Sequence, residues 1–234
     1  SIGSAAFAKI ATLSSITVDP ANTTYKTVKD ALYSADGKNL FVIANQSANV
    51  LGQEKFEDAA VETLDNYALW ATPYKTVSLP VLKTIGTYAM SSMPNIESFT
   101  ITKDMAVGTY AFANSGLKSI AFEEGYRMII QGTAMNNINL TQVTIPSSIT
   151  SISKDAFAGC TALKTMNLGK NVNYLEGGSI PTTIETIRCE NQNVPAIAPD
   201  LFTTEQSAVV CKVAESVVAD YKAVTGWNYL NIVG

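Results

Sequence analysis

Five stretches of this chain fall into one register, and a chain written that way must fold as a stack of like turns. They run from Ile85 to Ile101, Val107 to Phe122, Ile130 to Ile145, Ile152 to Leu168, and, in a looser copy, Leu175 to Cys189. The closing apolar triplets begin at Ile96, Leu117, Leu140, Leu163 and Ile184, so successive copies are spaced by 21 or 23 residues. That period is the signature of a solenoid, in which each unit buries its apolar residues only against its neighbours. In Leu163-x-x-Met166-x-Leu168 the last two apolar residues alternate with period two and share the inner face of a strand. On the other side of the turn, Ala111-Phe112, Ala134-Met135 and Ala156-Phe157 pair a small residue, around which the backbone can curve, with a large one that plugs the interior. Successive strands are expected to stack in parallel at about 4.8 Å. A solenoid offers a long surface and no deep central cleft, which favours a binding or scaffolding module over an enzyme.

Composition narrows the choice further. Of 234 residues, 47% are apolar, ample for a large core, and only 15% are charged. A net charge of −4 and a pI near 4.9 argue against nucleic acid, which wants a basic stripe. No apolar run is long enough to span a membrane. The chain contains no histidine, which removes Ser-His-Asp and Cys-His catalysis and the usual histidine-bearing zinc sites. No catalytic residue, metal site or cofactor is assigned. The chain opens inside a repeat at Ser1 without an initiator Met, and is read as a mature or trimmed segment whose signal peptide has been removed.

The regular array is interrupted twice. An opening copy, Ile2 to Phe7 with Leu13 to Val18, is separated from the others by residues 19–75. There Asp36-Gly37, between the β-prone runs Ala31-Leu32-Tyr33 and Leu40 to Ile43, reads as a hairpin turn. Phe56, Ala60, Leu64 and Ala68 recur every four residues and predict a short amphipathic helix over 54–69. At the other end, Val209 to Val213 reads as a last strand. Ser216 would N-cap a helix running to about Thr225, ended by Gly226. Trp227, Tyr229, Leu230 and Ile232 would then cover the open end of the stack, where an unpaired coil would invite aggregation. The expected organisation is a single solenoid domain, 1–234. It comprises a first repeat (1–18), a hairpin and helix interruption (19–75), contiguous repeats (76–189) and a cap (190–234).

These residues resemble the BspA-like branch of leucine-rich repeats. The segment Ile149 to Met166, Ile-Thr-Ser-Ile-Ser-Lys-Asp-Ala-Phe-Ala-Gly-Cys-Thr-Ala-Leu-Lys-Thr-Met, carries the match best. Val18-Asp-Pro-Ala-Asn22 with Tyr25 and Leu32 to Gly37 is similar to the family's interrupting hairpin. Val213 to Lys222 with Gly226-Trp227 is similar to its C-terminal cap. The resemblance implies a mainly β leucine-rich-repeat solenoid exposed on a bacterial cell surface, outside the outer membrane, or secreted. It further implies adhesion to host proteins or other cells, with no catalytic motif to carry over. Cys160 falls where the family often places a buried cysteine.

Two surfaces are candidates for binding. The outward strand positions form a polar ladder: Ser15/Thr17, Ser98/Thr100, Ser119/Ala121, Gln142/Thr144, Thr165/Asn167 and Thr186/Arg188. Such positions also suit Ser and Thr for purely structural reasons. The interruption holds Tyr25, Tyr33, Tyr67, Trp70 and Tyr74, the aromatic type that dominates protein hot spots and sugar stacking, although the same rings could cover the end of the stack. The partner is expected to be an extracellular or cell-surface protein of a host, with a glycan or a purely structural spacer role as alternatives. The acidic groups Glu54/Glu57/Asp58 and Glu123/Glu124 lack calcium-loop spacing. Cys189 and Cys211, on neighbouring predicted strands, are within reach of a disulfide bridge in an oxidising compartment, or are free buried thiols.

Overall fold

The computed structural model describes residues 2–3 and 5–234, and its fold is mainly β, a solenoid of parallel stacked strands with one short helix near the C-terminus. Two compact units divide it: one runs to Phe99 and takes in 104–117, and the other holds 100–103 and everything from Lys118 on.

In the first unit, β1 (Tyr25–Val28), β2 (Ala31–Ser34) and β3 (Asn39–Ile43) form an antiparallel meander. Lys29 and Asp30 join β1 to β2 with φ of 47° and 59°, the left-handed pair whose twist suits a two-residue hairpin. Asp36-Gly37 makes the second turn as expected: Gly37 has φ 80° and its N–H donates to Ser34 C=O at 2.9 Å. The chain continues through β4 (Lys55–Glu57), β5 (Thr63–Leu64), β6 (Thr76–Ser78) and β7 (Thr84–Ile85). β8 (Ser98–Ile101) and β9 (Ala106–Val107) follow. One wall of this unit is the sheet β1-β2-β3-β5-β7-β9, in which β3 turns from antiparallel to parallel partners. The other wall pairs β4 with β6 in parallel.

The helix expected over 54–69 is not formed; β4 and β5 occupy that segment. The four-residue recurrence of Phe56, Ala60, Leu64 and Ala68 is overridden by a longer one. Leu64 pairs in register with Ile85, and Ile85 with Val107, while Phe56 pairs with Val77. Leu64 and Ala68 are buried, but Ala60 is exposed, so the four residues do not line one face. Each inward residue gains a neighbour in the adjacent turn, and a lone amphipathic helix would forfeit that contact.

The second unit runs through β10 (Ser119–Phe122), β11 (Gln142–Ile145), β12 (Ser151–Ile152), β13 (Thr165–Leu168) and β14 (Tyr174–Leu175). It ends with β15 (Thr186–Cys189), β16 (Ala196–Ile197), β17 (Val210–Lys212), helix α1 (Val218–Ala223) and β18 (Asn231–Val233). The sheets are β11-β13-β15-β17-β18 and β12-β14-β16, with every registered pair parallel. Strands β10 and β11 alternate exposed and buried residues strictly, with Ile120/Phe122 and Val143/Ile145 inward, the same period-two pattern read from Met166 and Leu168. The cap has its strand, but Ser216 lies inside a 3₁₀ turn and α1 is only six residues long. Val217 and Tyr221, one turn apart, are its buried anchors. Val224 then leaves the helix in an extended conformation, well short of Gly226.

Five successive turns bend through two left-handed residues four apart. Tyr67 and Ala71, Tyr88 and Ser92, Tyr110 and Asn114, Gly132 and Asn136, and Asp155 and Gly159 are such pairs, all with positive φ. Counting from Gly132 and Asp155 puts Ala134 where its neighbouring turn has Phe157. The plug of that copy is therefore the fully buried Ala134, and the expected Met135 is only half-buried.

A cleft beside the hairpin

Within the first unit, the β1–β2 hairpin and the link through Gln53 stand off β4 and leave a cleft of about 330 Å³, at the small end of the range for ligand sites. Its floor is aromatic. Tyr33 and Tyr74 are 5% and 4% exposed, and the Phe56 and Tyr74 ring centroids lie 5.5 Å apart. The Tyr33 hydroxyl hydrogen-bonds Asp58; burial drives its acidity down, with the Asp58 charge adding to the effect. Burial alone pushes Tyr74 up to about 12. Both phenols therefore stay neutral near pH 7, able to hold a ligand but poorly suited to proton transfer. The rim is different: Val28 is 50% exposed, and Lys29, Lys55 and Glu57 are exposed. Among the described residues none of these three charges has an ion-pair partner.

Asp30 fixes the hairpin in place. Its carboxylate accepts hydrogen bonds from Ser47 Oγ (2.5 Å), Asn49 Nδ2 (2.8 Å) and Ile16 N–H (3.4 Å). The Ser47 and Asn49 bonds hold it below the usual carboxylate value. Tyr25 does not reach the cleft rim: its ring meets Phe41 edge-on at 5.5 Å and its hydroxyl accepts the Ile2 N–H at 2.7 Å. Trp70 is half-buried and lies outside the cleft lining. Of the five aromatic candidates Tyr25, Tyr33, Tyr67, Trp70 and Tyr74, only Tyr33 and Tyr74 line the cleft.

Sequence reading missed a second aromatic feature. Tyr67, Tyr88 and Tyr110 occupy the left-handed corner of three successive turns and stack at 5.1 and 5.0 Å with interplanar angles of 14° and 10°. Lys9 Nζ lies 5.7 and 5.6 Å from the first two rings. A side chain in the left-handed region costs about 1–2 kcal/mol, which each stacked pair offsets by about 0.5–1.5 kcal/mol. The signal was present as Tyr-Ala-Leu, Tyr-Ala-Met and Tyr-Ala-Phe at spacings of 21 and 22 residues.

In the second unit the polar ladder exists, and three of its residues are bonded to one another. Thr144, Asn167 and Arg188 stand opposite one another in register. Asn167 Nδ2 donates to Thr144 Oγ1 at 3.1 Å, and Arg188 donates to Asn167 Oδ1 at 3.4 Å. Gln142 and Thr100 are exposed. The acidic groups have structural partners: Glu54 pairs with Lys75, Glu123 accepts the Lys103 N–H and Glu124 the Ser147 N–H. Among the described residues no three His, Cys, Asp or Glu side chains gather to hold a metal ion. Cys160, Cys189 and Cys211 are buried free thiols. Cys211 stands opposite Ile187, two residues short of Cys189, and the two thiols share a hydrogen bond.

The model of the BspA type leucine-rich-repeat region matches residues 1–106 and 83–209, in six copies. No curated protein matches the chain. Solved structures that share the fold include the following two. A leucine-rich-repeat protein from Eubacterium ventriosum aligns with TM-score 0.63 and 19% identity over 76% of this chain and 51% of its own. The pneumococcal vaccine antigen PcpA aligns with TM-score 0.57 and 18% identity over 94% of this chain and 49% of its own. This chain thus spans about half the length of either. With the repeat period, the parallel register and the matched copies all in agreement, the chain belongs to the BspA-type leucine-rich-repeat family.

Proposed function

We propose that this protein is a non-enzymatic binding module of a bacterial cell surface or secreted protein, and that its target is an extracellular protein of a host or of another cell. The observation that carries the reading is the contrast between its two candidate surfaces. The Thr144-Asn167-Arg188 ladder spends its polar groups on itself, whereas the hairpin cleft gathers an exposed apolar residue and three charges without ion-pair partners over an aromatic floor. Protein hot spots combine such a concavity with apolar and aromatic contacts. Family membership and the fold support a repeat module that binds rather than reacts.

The test is saturable binding of the chain to immobilised extracellular-matrix proteins and to a glycan array. Val28→Asp at the exposed hairpin tip should abolish protein binding, while Arg188→Ala should leave it intact. The opposite pattern would move the site to the strand ladder. Silence on both panels would favour a structural spacer. Glycan-only binding would favour sugar recognition, against which Tyr33 and Tyr74 count, because a sugar needs an open ring face and theirs are buried.

A further inference from the structure

Among the described residues, strand β4 has a ladder partner on one side only: its sheet is β4-β6. In that pair Glu54 C=O accepts the Thr76 N–H at 3.1 Å and Asp58 N–H donates to Ser78 C=O at 3.2 Å, in the register Lys55↔Thr76, Phe56↔Val77, Glu57↔Ser78. A parallel ladder uses alternate residues of each strand. The N–H and C=O of Phe56 therefore serve β6, and those of Lys55 and Glu57, which also line the cleft, face the opposite way. The opening copy Leu13 to Val18 has the pattern of a strand that could fill this place, but it joins no ladder. Its Leu13 C=O accepts the Gln46 N–H and its Ile16 N–H goes to Asp30.

We infer that the free edge of β4 captures an extended polypeptide segment as one more parallel strand, with the sequence pattern acidic, apolar, basic. This rests on the reading of the chain as a protein-binding module. Backbone complementarity sets the occupant's conformation: Lys55 C=O and Glu57 N–H are spaced to bond the N–H and C=O of a single residue opposite Phe56. That residue's side chain points inward, into the cleft over Phe56 and beside Val28, so it is apolar. Its two neighbours point outward, opposite Lys55 and Glu57, and opposite charge at directly facing positions is favourable. The solenoid already uses this rule between its own turns, in the pairs Glu54–Lys75, Glu62–Lys83 and Lys164–Glu185.

The experiment titrates wild-type protein with a fluorescein-labelled, end-blocked peptide Thr-Ser-Glu-Val-Lys-Ser-Thr and follows anisotropy. The reversed peptide, Thr-Ser-Lys-Val-Glu-Ser-Thr, should bind about tenfold more weakly, since two facing pairs change from attraction to repulsion. The double variant Lys55→Glu, Glu57→Lys alters only exposed side chains and should exchange that preference. N-methylation of the peptide's valine, which removes its N–H without altering charge, should abolish binding, and the Glu57 amide of the wild type should exchange more slowly when the parent peptide is bound. Undiminished binding of the N-methyl peptide, or a charge preference that the double variant does not reverse, overturns the inference. Matrix proteins that bind while both peptides are ignored would preserve the adhesion reading and overturn this one. Peptide capture with a silent protein panel would do the reverse.

Discussion

The strand walls of the two units are finished in opposite ways. In the second, β17 and β18 are backed by a fully buried Trp227. Its Nε1–H donates to Pro195 C=O at 2.7 Å, and its ring meets Phe202 and Tyr221 at 5.3 and 5.2 Å. Tyr221 in turn donates to Asn191 C=O at 3.2 Å. In the first, β4 is backed by a cleft, and its aromatic Phe56 is only half-buried. Two large aromatic side chains on the inner side of a terminal strand thus do different jobs. Trp227 fills a volume and satisfies its one polar atom, which is the condition for burying an indole. Phe56 leaves a volume open beside backbone groups that have no ladder partner. A solenoid must cover its ends or leave a strand edge open; this one covers the end of one unit and leaves the β4 edge of the other open.

Truncating the two aromatics is the strongest way to break that comparison. Trp227→Ala should destabilise the second unit by about 3–5 kcal/mol, the usual loss for a buried large aromatic, read from urea unfolding by near-UV circular dichroism. Phe56→Ala should cost about 1–2 kcal/mol, because the ring is only partly withdrawn from water. Equal costs would mean that the cleft is as tightly organised as the cap.

The tyrosine stack offers a smaller test of the first unit's regularity. Tyr88→Ala breaks two stacked pairs and should cost about 1–2 kcal/mol, and Tyr67→Ala, which breaks one, about half of that. A Tyr88→Ala variant as stable as wild type would show that the stacked rings contribute nothing, because alanine keeps the left-handed strain.

Acid should loosen the hairpin. The folded value of Asp30 lies below its ordinary 3.8, so its contribution to stability is complete above about pH 4 to 5 and is lost as pH falls through the depressed value. Asp30→Asn should flatten that part of the stability profile between about pH 5 and 2; an unchanged acid limb would show that the carboxylate does not tie the hairpin down. The smallest signal is expected from the thiols. Cys160 is fully buried, its thiol is pushed up to about 11, and Cys189 is raised also, by its bond to Cys211 and by burial. Native protein at pH 8 should therefore resist a thiol reagent, and three thiols should react once denaturant is added. Two fewer would reveal a Cys189–Cys211 bridge.

Period and alternation were enough to read the parallel stack, because every turn repeats the same inward triplet and the match is counted many times over. The Asp36-Gly37 turn was legible for a local reason: Gly37 takes the left-handed conformation and the Asp36 carboxylate accepts the Lys38 N–H two residues on. The segment 54–69 was misread because four residues at helical spacing imitate an amphipathic face when read alone. The competing evidence, Leu64 with Ile85 and Tyr67 with Tyr88, lies 21 residues away and needs an alignment of turns to be seen.

The sequence by itself determined the fold class, the family, the outward positions of Gln142, Thr144, Asn167 and Arg188, and the exclusion of histidine chemistry. Only the tertiary structure decided that Asn167 bonds Thr144 and Arg188, that Tyr33 and Tyr74 form a floor rather than an exposed patch, and that β4 keeps one free edge. The physical reason is range. Repeat period and turn chemistry are written in neighbouring or evenly spaced residues, whereas a cleft is a gap between segments whose distance no local pattern encodes.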